Sequence, residues 1–198
     1  MSFSQTYLEQ TAQISNAIDP KVLENMANAL SELRERSGRL FFVGSGGGAG
    51  HSSHAVCDFR KLGNIECYTP SDNVSELTAR VNDDGWDTAY SNWLKVSNFS
   101  SNDALFVFSV GGGNKEKNVS VNLVNCIALA NELGSIVMGV VGRDGGYTKQ
   151  SSDLTIIVPT LDEPLVTPHT EGWQAVVWHL LISHPKVGIN ETKWESVK

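Results

Sequence analysis

The sequence predicts a single α/β domain of 198 residues, an open parallel sheet covered by helices on both faces. Two observations carry this. Five short, nearly all-apolar runs, at 40–43, 65–68, 104–108, 136–141 and 154–159, alternate with helical segments, as strands buried on both faces do. Two of those runs end in glycine-rich turns leading into helices, Gly44-Ser45-Gly46-Gly47-Gly48-Ala49-Gly50 and Ser109-Val110-Gly111-Gly112-Gly113-Asn114. In open α/β sheets ligands bind beyond the carboxyl ends of the strands, where both turns fall. No repeat, linker or low-complexity segment breaks the pattern, and the length suits one substantial core.

Residues 4–18 read as a helix with Tyr7, Leu8, Ile14 and Ile18 on one stripe. Asp19-Pro20 is an N-cap followed by proline at the first helical position. Val22, Leu23, Met26, Ala27, Leu30 and Leu33 then form an apolar face that Gly38 closes. Residues 1–38 stand outside the alternation, so their apolar stripes are expected to pack on another subunit, leaving 39–198 as the α/β core. Helices are expected after the first glycine turn as far as Lys61, at 74–81 and 86–96, and from Asn114 to Leu133, which puts Lys115 and Lys117 in a first turn. The last helix is expected from His169 to just before Pro185.

The formal net charge of −7 argues against nucleic acid, which demands a basic face. It leaves room for a phosphorylated small molecule held by backbone N–H groups and helix N-termini. No apolar run approaches the roughly 18 residues of a membrane span, and the start has no secretory signal pattern. Cys57, Cys67 and Cys126 are odd in number and widely spaced, so they read as reduced thiols of a cytoplasmic protein.

Two helical stretches concentrate the chemistry. His54 and Asp58 are four apart and neighbours on one helix surface. Glu171 and His179 are eight apart and project broadly to one side. Brought together, they would make a four-ligand nitrogen/oxygen site suited to a zinc-like ion, with His179 largely buried among its apolar neighbours. The first glycine turn also contains Gly44, Gly46 and Ala49 in dinucleotide-fingerprint spacing, with Glu66 about twenty residues on. A phosphate cradle, a dinucleotide site and a merely structural turn are the three readings of it. In the second loop, Lys115 and Lys117 near a helix start make sense beside an anion. Asn82-Asp83-Asp84-Gly85 reads as a turn in a long connection of the kind that is often functional.

Taken together, the leading helices, the glycine turn followed by His54, the Asn82-Asp83 turn, the loop at Ser109, Gly142-Arg143-Asp144-Gly145-Gly146 and the final helix bearing His179 resemble the phosphoheptose isomerases of the sugar-isomerase (SIS) family. The resemblance covers nearly the whole chain. It implies a three-layer, flavodoxin-like sandwich around a five-stranded parallel sheet, a homotetramer with active sites between subunits, and one zinc ion per subunit. It implies conversion of sedoheptulose 7-phosphate to D-glycero-D-manno-heptose 7-phosphate for heptose-containing surface polysaccharide, of which lipopolysaccharide is one. By position, His54, Asp58, Glu171 and His179 fall on the family's metal ligands. Ser45, Gly46, Gly47, Asn82 and Asp83 fall on substrate-binding turns, and Ser109, Val110 and Gly111 on the phosphate loop, with Asn114 and Lys115 as compensating groups. Asp58 or Glu171 is the expected base, and His179 a ligand and candidate acid. Three departures stand out: Asp58 and Glu171 occupy positions where the family usually carries glutamate and glutamine, and the phosphate loop, about two residues longer, lacks two of its three hydroxyls at Val110 and Gly111. A related phosphosugar, a non-catalytic phosphosugar-binding module and a nicotinamide-dependent oxidoreductase are the alternatives.

Overall fold

The structure is a computed structural model that describes residues 1–197. The chain runs α1 (Phe3–Ala17), α2 (Pro20–Glu35), β1 (Leu40–Gly44), α3 (Gly47–Lys61), β2 (Cys67–Tyr68), α4 (Val74–Asp84), α5 (Trp86–Val96), β3 (Ala104–Ser109), α6 (Val121–Leu133), β4 (Ile136–Val141), α7 (Gly146–Ser151), β5 (Leu154–Ile157), a 3₁₀ turn (Glu163–Leu165), α8 (Val166–Ser183) and α9 (Lys193–Ser196). The five strands are all parallel in the order β2-β1-β3-β4-β5. Every residue of β1 and β3 is buried, which explains their unbroken apolar character. One face carries Met26, Leu30, Phe59 and Trp178 from α2, α3 and α8. The other carries Tyr90, Leu94, Leu123 and Ile127 from α5 and α6. No described helix is long and apolar enough to cross a membrane.

The amino edge of the sheet is locked by one ion pair. Asp103 accepts from Arg39 Nε (3.0 Å), Arg39 Nη2 (2.8 Å) and the Arg39 backbone N–H (3.1 Å), and from the Ser100 N–H (2.9 Å). Burial alone would push the Asp103 carboxyl up. The Arg39 guanidinium and the two backbone amides outweigh it and hold it below the ordinary carboxylate value.

Several expectations need correction. The stripe of α2 (Met26, Ala27, Leu30, Leu33) is wholly buried in its own protomer, because the helix lies on the sheet near β5. Of the two leading helices, α1 is the one with exposed large apolar residues, Phe3 and Leu8. Asn82 and Asp83 belong to the last turn of α4 rather than to a turn, and the chain breaks at Gly85, whose φ of +79° suits glycine. Helix α6 starts seven residues after Asn114. Between them Asn114 and Val119 exchange backbone hydrogen bonds (2.8 and 2.9 Å), so Lys115 and Lys117 ride an exposed loop instead of a helical turn. Strand β2 is two residues long, and α7 had no apolar periodicity to announce it.

Candidate functional site

Strand order reverses direction at β1 and β3, so the crevice beyond their carboxyl ends is the switch point where such folds bind ligands. The chain narrows there to glycine because backbone meets backbone. A Cβ on Gly44 would stand 2.4 Å from the Gly48 carbonyl, and one on Gly48 would stand 2.6 Å from the Phe108 carbonyl oxygen. Gly46, at φ +58°, precedes the first residue of α3 without a side-chain cap. Two buried side chains hold this turn from the opposite face of the sheet. The Tyr90 hydroxyl donates to the Gly44 carbonyl (3.1 Å), and Asn122 Nδ2 donates to Ser45 Oγ (3.1 Å).

The second loop is stitched to the turn after β4. Ser109 Oγ accepts from the Gly112 N–H (3.0 Å), while the Gly112 carbonyl accepts from both the N–H (2.9 Å) and the hydroxyl (2.8 Å) of Thr148. Val110 and Gly111 are half-buried at the rim. Asn114 turns its Oδ1 back to the Lys117 N–H (2.8 Å), and Lys115 is exposed. A cleft of about 680 Å³ opens here, lined by Gly111, Asn114, Lys117, Arg143, Asp144 and Glu163 among others. It lies beyond β3, β4 and β5, apart from the imidazoles described next. Asn82 and Asp83 are exposed on α4, and Asn82 Nδ2 donates to Asp83 Oδ1 (2.8 Å).

Helices α3 and α8 pack side by side and bring three of the four expected ligands together. His54, Asp58 and His179 each offer one ligand atom within 4.8 Å of the others. Asp58 Oδ2 lies 3.9 Å from Nε2 of both His54 and His179. His179 is exposed, not buried, because α8 turns Val177, Trp178, Leu181 and Ile182 to the core and Val176, His179 and Leu180 outward. His179 Nδ1 is 2.8 Å from the Ala175 carbonyl, an acceptor only, so Nδ1 carries the proton and Nε2 presents its lone pair. That second contact fixes the ring as metal-binding histidines are commonly fixed. The buried Trp178 ring stacks on His179 and lies against His54, with centroids 3.4 and 4.7 Å apart. Two imidazoles and one carboxylate with an open side suit a zinc-like cation, so the donor set fits the metal that the resemblance implies.

Glu171 falls outside this group. Its carboxylate rests on Gly47, 2.5–2.6 Å from where a Cβ would stand there. Eight residues of α8, about 12 Å of rise, separate it from His179. The face shared by α3 and α8 therefore has two levels, a carboxylate beside the glycine turn and the His54, Asp58 and His179 group two turns further along. Burial holds the His51 imidazole below its ordinary value, against the opposing pull of Glu171.

The dinucleotide reading fails on register. Cys67 pairs with Leu40, so Glu66 is level with Arg39, five residues or roughly 16 Å below the glycine turn. Tyr90 and Asn122 escaped the sequence reading. Asn122 had one visible signal, a lone amide inside the apolar run Val121–Val124.

No protein-family model matches the chain. It is 30% identical over 155 residues to a phosphoheptose isomerase of Pelobacter propionicus, covering 74% of this chain and 77% of that protein. It is 29% identical over 191 residues to the lincomycin biosynthesis protein LmbN of Streptomyces lincolnensis, covering 91% of this chain and 68% of the relative. Its fold matches a phosphoheptose isomerase structure from Francisella tularensis with a TM-score of 0.77 at 19% identity, over 91% of this chain and 96% of the other.

Proposed function

Since the chain belongs to the phosphoheptose isomerase family, we propose that it interconverts sedoheptulose 7-phosphate and D-glycero-D-manno-heptose 7-phosphate with the aid of one bound divalent cation. The observation that carries this reading is the His54, Asp58 and His179 group on the face shared with the switch-point turn. Aldose–ketose exchange moves a proton between C1 and C2 through a cis-enediol and needs a base, together with charge to polarise the two oxygens. A zinc-like ion held by His54 Nε2, Asp58 Oδ2 and His179 Nε2 would supply that charge.

Asp58 answers for the base. Both imidazoles face its Oδ2, which leaves Oδ1 to take the carbon-bound proton. His179 loses the acid role given to it above, because Nδ1–H is committed to Ala175 and Nε2 to the ligand position. Glu171 is the second carboxylate, available for the oxygen-bound protons. The Ser45–Gly47 turn and the Ser109–Gly111 loop hold the phosphate and so fix the reacting carbons. The exposed Phe3 and Leu8 on α1, with Val176 and Leu180 flanking His179, suit a homo-oligomer that covers this face. Supply of heptose for surface polysaccharide is the pathway proposed.

The test is turnover of sedoheptulose 7-phosphate and shorter ketose phosphates with zinc added or chelated. Asp58→Asn should slow turnover roughly 10²–10⁴-fold, and Glu171→Gln by less. The reverse pattern, with metal still bound, moves the base to Glu171. Phosphosugar binding without metal or turnover leaves a binding module.

A further inference from the structure

We infer that Asn122 is a positioning residue that sets the Ser45 hydroxyl for the ligand's phosphoryl group; the inference rests on the phosphosugar reading above. Asn122 is completely buried at the start of α6, and its Nδ2 donates to Ser45 Oγ across 77 positions of sequence. Its Oδ1 has no partner among the described residues. Buried amides are normally satisfied at both ends, and an orphaned end costs stability. An apolar side chain of the same shape would suit a site flanked by Val121, Leu123 and Val124 and would leave no orphan.

What the amide does supply is direction. A hydroxyl that already accepts from Asn122 keeps its own proton free for an outside acceptor. Ser45 is half-buried at the mouth of the crevice between β1 and β3, one residue beyond the Gly44 carbonyl that Tyr90 pins. The turn is thus braced at two consecutive residues from the far side of the sheet. The group best placed to accept the freed proton is a phosphoryl oxygen at the switch point.

A double-mutant cycle tests this, read as KM for sedoheptulose 7-phosphate and as the dissociation constant of inorganic phosphate by calorimetry on the metal-loaded protein. Ser45→Ala should weaken both roughly 10- to 100-fold, the range for a hydrogen bond to a charged group. Asn122→Leu should do the same while leaving Tm unchanged or raised, and the double variant should be no worse than Ser45→Ala alone. Asn122→Asp, which draws the serine proton inward, should match Asn122→Leu and serves if the leucine variant does not fold. Effects that multiply in the double variant overturn the inference, as do Asn122 variants within twofold of wild type. Wild-type protein that binds phosphate without turning over the heptulose phosphate removes the isomerase reading, and the cycle in phosphate affinity still decides Asn122. Wild-type protein that binds neither ligand overturns both.

Discussion

Gly48 and Gly50 lie two residues apart in α3, yet alanine at the two positions should act in opposite directions. A methyl carbon normally keeps about 3.3 Å or more from a carbonyl oxygen. The Cβ of Gly48→Ala would stand 2.6 Å from the Phe108 oxygen, with the Phe108 carbonyl carbon and Cβ at 3.3 and 3.4 Å. The clash is with the backbone carbonyl at the buried end of β3, and the Phe108 Cβ is fixed by that same backbone, so no side chain can swing aside. Relief requires the start of α3 to lift by roughly 0.7 Å, carrying the Ser45–Gly47 turn with it. Overpacking of this kind costs about 1–3 kcal/mol, and displacing the turn proposed to bind substrate by the better part of an ångström can cost on the order of 10²-fold in rate. At Gly50 a Cβ meets nothing within 4 Å, so Gly50→Ala should gain about 0.5–1 kcal/mol from helix propensity. Urea unfolding with linear extrapolation gives the stabilities, and kcat/KM on the phosphosugar gives the function. If Gly48→Ala matches wild type in both, the close approach of α3 to β3 is wrong.

Three further outcomes follow from the geometry. Asp103→Ala removes the carboxylate from the Arg39 guanidinium, which keeps only the Ser97 and Asn98 carbonyls (2.9 and 2.8 Å), and should cost about 1.5–3 kcal/mol, or roughly 3–12 °C in Tm by calorimetry. Because the Asp103 carboxyl titrates below its ordinary value, its contribution is complete at neutral pH and is lost as pH falls through the carboxylate range, and the variant should lack that part of the acid transition. His179→Ala removes one of the three atoms proposed to hold the metal and should lower the zinc retained after gel filtration, measured by elemental analysis, without changing the far-UV spectrum. Besides Ile14 in the core, α1 is held by His169, stacked on Tyr7 at 4.3 Å and 2.9 Å from Gln10 Oε1. Burial holds this imidazole below 6.5, so acidification under that value must protonate it against its site and loosen α1. Hydrogen exchange across residues 3–17 should rise below pH 6.5 in wild type and show no such step in His169→Gln.

The layer order, strand identities and both glycine loops were legible in the chain because strands buried on two faces leave an unbroken apolar signature, and backbone contacts such as Gly44 on Gly48 admit only glycine. The pairs His54/Asp58 and Glu171/His179 were legible as local spacings. Their relation was not. Which residues of α3 and α8 share a level depends on how two helices slide and turn against each other, and periodicity within one helix carries no information about its neighbour. Packing set His179 beside Asp58, laid Glu171 on Gly47 and turned the imidazole outward by giving Trp178 to the core. It also drew Asn122 and Tyr90 through the sheet edge to a turn 77 and 46 residues away. Local sequence thus determined what the elements are and which groups they carry. The docking of helix on helix and helix on sheet, a cooperative property of side chains distant in sequence, decided which of those groups meet.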